Sequence, residues 1–344
     1  MTSKQRVHAA IAFQDPDCLP ILYLNRDQHR SDILSAGYAA AASFKPDVPN
    51  QSEWGFVWHR QDETMGQPKQ PPLEHSWDLL DSWRPPDPFA QERMDPLKKM
   101  VAENPGRYVM GSLGITGFNQ VTFLRGFENV MADFYLEPDN LNRLIQIVID
   151  FECEMIRQMC ACGVDAIAFG DDWGTQANLM VNPALFRSFF KPHFKRQFAL
   201  VKSYGCQVYF HSCGQVYEIL DDLIEIGVDI LNLNQPDIFP LARLSKGFRG
   251  RVCLNCPIDH QTVALFGNEA EIRAYAARLL QELGTGHGGY IAYIEDYHSI
   301  GMSEANYQAI CRAFEEMKVS GWKKITEPEQ SAVKVSGWLE GRQP

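Results

Sequence analysis

Positive charge is scarce in this chain: 32 Lys and Arg stand against 43 Asp and Glu, the formal net charge is −11, and no Lys/Arg run occurs. A nucleic-acid binder concentrates positive charge on one face, so that class is excluded. No apolar run approaches the roughly 20 residues that cross a bilayer, which excludes a helical membrane span. No export signal is expected from residues at the start of the sequence. Nine cysteines (18, 153, 160, 162, 206, 213, 253, 256 and 311) are an odd number that cannot all pair. With no export signal they read as free thiols in a reducing compartment, and the expectation is a soluble cytoplasmic protein. A hydrophobic content of 45% over 344 residues is ample for a large core.

The densest chemistry lies in Gln207-Val208-Tyr209-Phe210-His211-Ser212-Cys213-Gly214. It reads as a strand ending in His-x-Cys and turning at a glycine. Alternation puts His211 and Cys213 on one face, and an imidazole beside a thiolate supplies two zinc ligands. Val216, Ile219, Leu220, Leu223 and Ile224 then mark one face of a helix, and 228–234 reads as the next strand. The unit is βαβ, with its polar groups at the end of the first strand.

The same pattern recurs along the chain. Strands are expected at 20–24, 54–58, 108–112, 165–172, 207–213, 228–234, 250–257 and 289–296. Helices are expected at 3–13, 95–103, 138–162, 183–203, 269–283 and 303–317, with Pro192 kinking or splitting the fourth. A small helix and an Ala-rich stretch should link the first two strands, and 113–131 should form a loop or short helix over one end. Residues 59–106, rich in Pro, Asp and Trp, make a long loop region near the mouth of the fold. Eight strands mostly followed by helices point to an α/β fold, a distorted (β/α)₈ TIM-type barrel. Asn25/Arg26, Asp171/Asp172, His211/Cys213, Asn232/Asn234, Cys256/Asp259 and Glu295/Asp296 all fall at strand C-terminal ends, where barrel enzymes carry their sites.

Phe210-His211-Ser212-Cys213-Gly214 followed by 222–232 resembles the uroporphyrinogen decarboxylase superfamily. Further pieces match in order: Asp15-Pro16-Asp17, Pro20-Ile21, Glu53-Trp54-Gly55, 169–176, Phe189-Phe190-Lys191-Pro192 and 288–291. The resemblance covers about residues 1–317, leaving 318–344 as a C-terminal extension. It implies a distorted barrel with a deep cleft, and two enzyme branches: porphyrinogen decarboxylases and zinc-dependent methyltransferases that work with corrinoids. The decarboxylases carry Met-Arg-Gln-Ala-Gly-Arg after the first strand, with arginines for propionate carboxylates. Here that place holds Leu24-Asn25-Arg26-Asp27-Gln28-His29, and Asp27 would repel a carboxylate.

The methyltransferase branch is therefore the expected one. It implies zinc on His211 and Cys213, with Asp296 (the usual Cys position) or Cys256 as a third ligand. Cys253 lies three residues from Cys256 on the same strand and faces the opposite way. Asp171, Asp172 and Glu295 are the expected catalytic acids, only one of the adjacent Asp171 and Asp172 fitting comfortably into the cleft. Asn25, Arg26, Trp173, Asn232 and Asn234 are the expected substrate contacts. Trp54, Trp58, Trp77 and Trp83 stand near the mouth as loop packing or an aromatic wall. The substrate is a methoxylated or methylated small molecule. Any corrinoid is expected to ride on a separate protein. A carboxy-lyase acting on a porphyrinogen or another carboxylated ring, and an inactive ligand-binding barrel, stand as alternatives. The tail repeats Val-Ser-Gly-Trp at 319–322 and 335–338, which fits an edge hairpin, a homodimer contact or a lineage-specific arm.

Overall fold

In the computed structural model, which describes residues 1–60 and 66–320, eight parallel strands form a nearly closed (β/α)₈ barrel. They are β1 (Ile21–Leu24), β2 (Ile33–Gly37), β3 (Tyr108–Ile115), β4 (Ala166–Gly170), β5 (Gln207–Ser212), β6 (Ile230–Leu233), β7 (Cys253–Pro257) and β8 (Tyr290–Glu295). The ladder runs from β1 through β8, β7, β6, β5, β4 and β3 to β2. The two end strands meet at a seam rather than a ladder: Asp32 N–H donates to Ile21 O at 2.8 Å and Ile21 N–H to Asp32 Oδ2 at 3.0 Å. Arg6 and Lys318 both pair with Asp32, which ties the first and last described helices to the foot of that seam.

Alternation along the strands divides the core in two. Leu22, Tyr108, Met110, Ala168, Tyr209, Ile230, Cys253, Ile291 and Tyr293 fill the barrel interior. The opposite faces, with Ile167, Phe210, Leu231, Cys256 and Ile294, join the helices in a much larger apolar layer. The interior is thus packed below and turns polar only at the C-terminal rim.

The second strand corrects the sequence expectation. Val57–His59 lies outside the barrel, paired antiparallel with Gln67–Lys69, and Ile33–Gly37 takes the place in the ladder. The true strand has one fully buried residue, Ile33, and ends on an exposed glycine, so it carries no apolar alternation to read. In the 113–131 stretch, 113–115 extend β3 and the remainder is two helices, α1 (Gly117–Arg125) followed by α2 (Phe127–Leu136). The long helix at Pro138–Ala161 follows its apolar stripe. The 183–203 segment does split, a π-turn at Phe186–Phe190 preceding Lys191–Ser203, with Pro192 in the first turn where its missing N–H has no partner to lose. Among the described residues no helix is long and apolar enough to cross a membrane. The tail beyond Ser320, with most of its repeat, lies outside the described residues.

Candidate metal centre

His211 is one pleat above Tyr209 on the inner face of β5, and parallel register sets it level with Gly170 on β4 and Asn232 on β6. Asn232 is in turn level with Asn255 on β7. These three polar side chains form a chain whose orientation is fixed from its far end. Ile291 O can only accept, so Asn255 presents Nδ2 to it, at 2.9 Å. Asn255 Oδ1 then accepts from Tyr209 O–H at 2.9 Å and Asn232 Nδ2 at 3.0 Å. Asn232 Oδ1 is left facing His211 Nδ1 at 2.5 Å, so Nδ1 must carry a proton. In the neutral ring Nε2 keeps a bare lone pair, and this is the ligand form of histidine.

That nitrogen faces two further donors. Cys213 Sγ is 3.7 Å from His211 Nε2, and Asp172 Oδ1 is 3.5 Å from it. Ligand atoms of Asp172, His211 and Cys213 all lie within 4.8 Å of one another, the one such cluster among the described residues. A tetrahedral zinc ion with ordinary bond lengths holds N, O and S ligands about 3.5 Å apart, close to the two separations at His211 Nε2. Burial pushes the Cys213 thiol up, and the Asp172 carboxylate adds to it. Three lone-pair donors crowded together in this way favour a cation between them, which would reverse the penalty on the thiolate.

The turn from β4 holds Asp172 in place. Cys213 N–H donates to Asp172 Oδ1 at 2.7 Å, and Ser212 Oγ accepts from Trp173 N–H at 3.1 Å. Gly174 and Gly214 touch backbone to backbone: a Cβ on Gly214, at φ +80°, would lie 2.2 Å from the Gly174 carbonyl carbon. Only glycine permits both the left-handed conformation and that approach.

The structure redistributes the other expected site residues. Asp296 lies outside this cluster: it follows Glu295, the last residue of β8, pairs with Arg26 at 3.1 Å and accepts His298 N–H at 3.0 Å. Cys256 lies outside the cluster too. It faces the helix layer, fully buried among apolar groups, while Cys253 is the inward member of the pair. The sequence reading had the two on opposite faces, but which face was inward needed the barrel.

Asp171 does not enter the cleft. It is fully buried and accepts N–H groups from Phe118, Asn119 and the Trp173 indole at 2.8 to 3.0 Å. Trp173, also fully buried, stacks on Phe118 at 4.6 Å and offers no substrate surface. Arg26 is spent on Glu304, through two 2.8 Å bonds, and on Asp296, and it lies over the Tyr307 ring. Trp54, Trp58, Trp77 and Trp83 pack against the core or one another, as loop supports rather than a substrate wall.

Glu295 does face inward, accepting Tyr293 O–H at 2.7 Å. Asn234 accepts Tyr297 O–H at 3.1 Å beside the Cys213 thiol. Asn25, left-handed at φ 64°, borders a seam cavity of about 220 Å³ with Gln28, Ser35 and Ser112. Asn255, Asn119, Tyr293 and Tyr297 went unread. Each is an ordinary residue type whose role comes from what the fold brings beside it, and no local spacing in the sequence marks it.

A family model described as uroporphyrinogen decarboxylase (URO-D) matches residues 61–317. The chain belongs to the uroporphyrinogen decarboxylase family. Curated relatives are distant. Uroporphyrinogen decarboxylase from Chlorobaculum parvum is 25% identical over 161 residues, 46% of this chain and 44% of the relative. A uroporphyrinogen decarboxylase from Thermus thermophilus is 28% identical over 167 residues, 48% of this chain and 46% of the relative. The matches thus span a little under half the length of these relatives. Among solved structures, a methyltransferase from Methanosarcina mazei superposes with a TM-score of 0.69 over 92% of this chain and 99% of its own, at 16% identity. That likeness is one of fold.

Proposed function

We propose that this family member is a methyltransferase that moves a methyl group between a methoxylated or methylated small molecule and a corrinoid on a separate protein. Asp172, His211 and Cys213 would hold a zinc ion with a fourth position open to substrate. The observation that carries the reading is the triad itself, three ligand atoms of zinc-compatible type at zinc-compatible spacing on the mouth of the barrel. When bound, the ion would supply Lewis acidity to withdraw electron density from the leaving atom of the methyl donor.

The chain's own groups prepare the site. Asn232 keeps the proton on His211 Nδ1, so Nε2 is free to ligate. The Asp172 carboxylate and the inward Glu295 make the mouth acidic, a setting for a cation or a neutral hydrogen-bonding ligand rather than an anion. Asn234, held by Tyr297, lies against the Cys213 thiol.

The names of the curated relatives favour a second reading, a decarboxylase of a carboxylated ring. Such a substrate needs cations, and the arginine at the expected place, Arg26, is already neutralised by Glu304 and Asp296. The test is an assay of zinc-loaded protein with cob(I)alamin and a panel of methyl donors, alongside uroporphyrinogen. Chelator-sensitive methylcobalamin formation supports the transferase. Metal-indifferent release of CO₂ overturns it.

A further inference from the structure

Asp172 is held from a direction the metal cluster does not require. Asn119 Oδ1 accepts Asp172 N–H at 2.6 Å, and Asn119 Nδ2 donates to Asp172 O at 3.2 Å, so one side chain grips both main-chain polar groups of that residue. Asn119 is the third residue of α1 and is itself immobilised. Its N–H donates to Asp171 Oδ1 at 2.8 Å, and its carbonyl accepts from Thr122 Oγ1 at 2.8 Å.

The start of the helix is anchored in turn on two buried carboxylates. Gly117 N–H donates to Glu152 Oε1 at 2.9 Å and Phe118 N–H to Asp171 Oδ2 at 3.0 Å, meeting helix-end donors that have no intrahelical partner. Gly117 is obligatory at this junction, because a Cβ there would fall 2.5 Å from Asp171 Oδ2. A rigid chain thus runs from Glu152 and Asp171 through α1 and Asn119 to the backbone of Asp172. From Asp172 it continues to Cys213 N–H and the cluster.

We propose that Asn119 is a positioning residue that sets the direction of the Asp172 carboxylate toward His211 and Cys213. The proposal rests on reading that cluster as a cation site. Groups that orient metal ligands from behind change affinity by about 10- to 100-fold when removed. Asn119 touches no ligand atom, so its effect would pass wholly through Asp172.

The experiment compares Asn119→Ala with Asn129→Ala, a control on α2 whose amide donates to Glu74 O and Arg125 O instead, using two readouts. In metal-free protein, amide hydrogen exchange at Cys213, whose N–H is held by Asp172 Oδ1, should quicken about tenfold or more in Asn119→Ala, while the Phe210 amide stays protected. In Co²⁺ titrations Asn119→Ala should bind about 10- to 100-fold more weakly and show altered visible ligand-field bands. Asn129→Ala should follow the wild type in both. Wild-type exchange and Co²⁺ affinity in Asn119→Ala, or equal changes in Asn129→Ala, overturn the positioning role. A wild-type protein that binds no Co²⁺ overturns the cation reading beneath it.

Discussion

The backbone N–H of Cys213 donates to Asp172 Oδ1 at 2.7 Å, so two candidate ligands from neighbouring strands are joined without any cation. A site organised in advance loses little entropy on binding, and that favours tight capture of an ion. It also makes the supporting residues testable one at a time.

Asn232 is the first of these. Replacing it with Ala frees His211 Nδ1 and strands a hydrogen-bonding position of Asn255, both inside the barrel. Zinc affinity should fall about 10- to 100-fold, and stability by about 1–3 kcal/mol from the unpaired buried group. Competition with a chromophoric chelator and urea unfolding measure the two. Wild-type affinity in the variant would show that the ring needs no such support.

The glycine contact between the two turns is the second. Gly214→Ala places a methyl 2.2 Å from the Gly174 carbonyl carbon at a left-handed φ. The turns must separate, at a cost of about 3 kcal/mol or more for strain and overpacking combined. Because Asp172 and Cys213 lie on those turns, metal retention should fall together with the melting temperature. A folded, zinc-replete variant with unchanged melting would contradict this account of the turn.

Glu152 gives a pH test. Burial pushes its carboxyl up to about 7, against the opposing hydrogen bonds from Gln197 and Gly117. The folded protein therefore keeps a proton that the unfolded chain has already lost. Stability from this group is full at low pH and declines as pH rises from about 4.5 to about 7, by about 3 kcal/mol, then levels off. Gln197 Oε1 is buried without a partner, and a flipped amide would place it to accept that proton. Glu152→Gln should flatten the slope of unfolding free energy between pH 5 and 7. An unchanged slope would locate the titration elsewhere.

Much of this was legible in advance, for a stated physical reason in each case. Seven of the eight strands announce themselves because their residues are buried on both faces or end in polar clusters, as in Ala166–Gly170 and Tyr290–Glu295. β2 does not, since only Ile33 is fully buried. His211 and Cys213 could be paired from alternation alone, a property within one strand. The third member could not, because Asp172 reaches them across the β4–β5 register, and alternation on β8 admits Glu295 in place of Asp296. Cys253 and Cys256 show the same limit: sequence separates their faces but does not say which one is inside.

Arg26 separates the two chemistries. If it remains bound to Glu304 and Asp296, Arg26→Ala should change the KM for the methyl donor by less than about fivefold, the scale of an exposed ion pair. A carboxylated ring substrate that relied on it would lose far more. Steady-state kinetics on both substrate classes distinguishes them, and a KM rise beyond about tenfold for a carboxylate substrate would move the reading toward a decarboxylase.

The most direct measurement is metal content. Protein dialysed against zinc and then against buffer should retain about one zinc per chain. Asp172→Ala, His211→Ala and Cys213→Ala should each lose most of it while keeping the wild-type circular dichroism. Asp296→Ala and Cys256→Ala should keep the metal. Equal zinc in the Cys213→Ala and wild-type proteins, or none in the wild type, would contradict the assignment of these three residues as a metal centre.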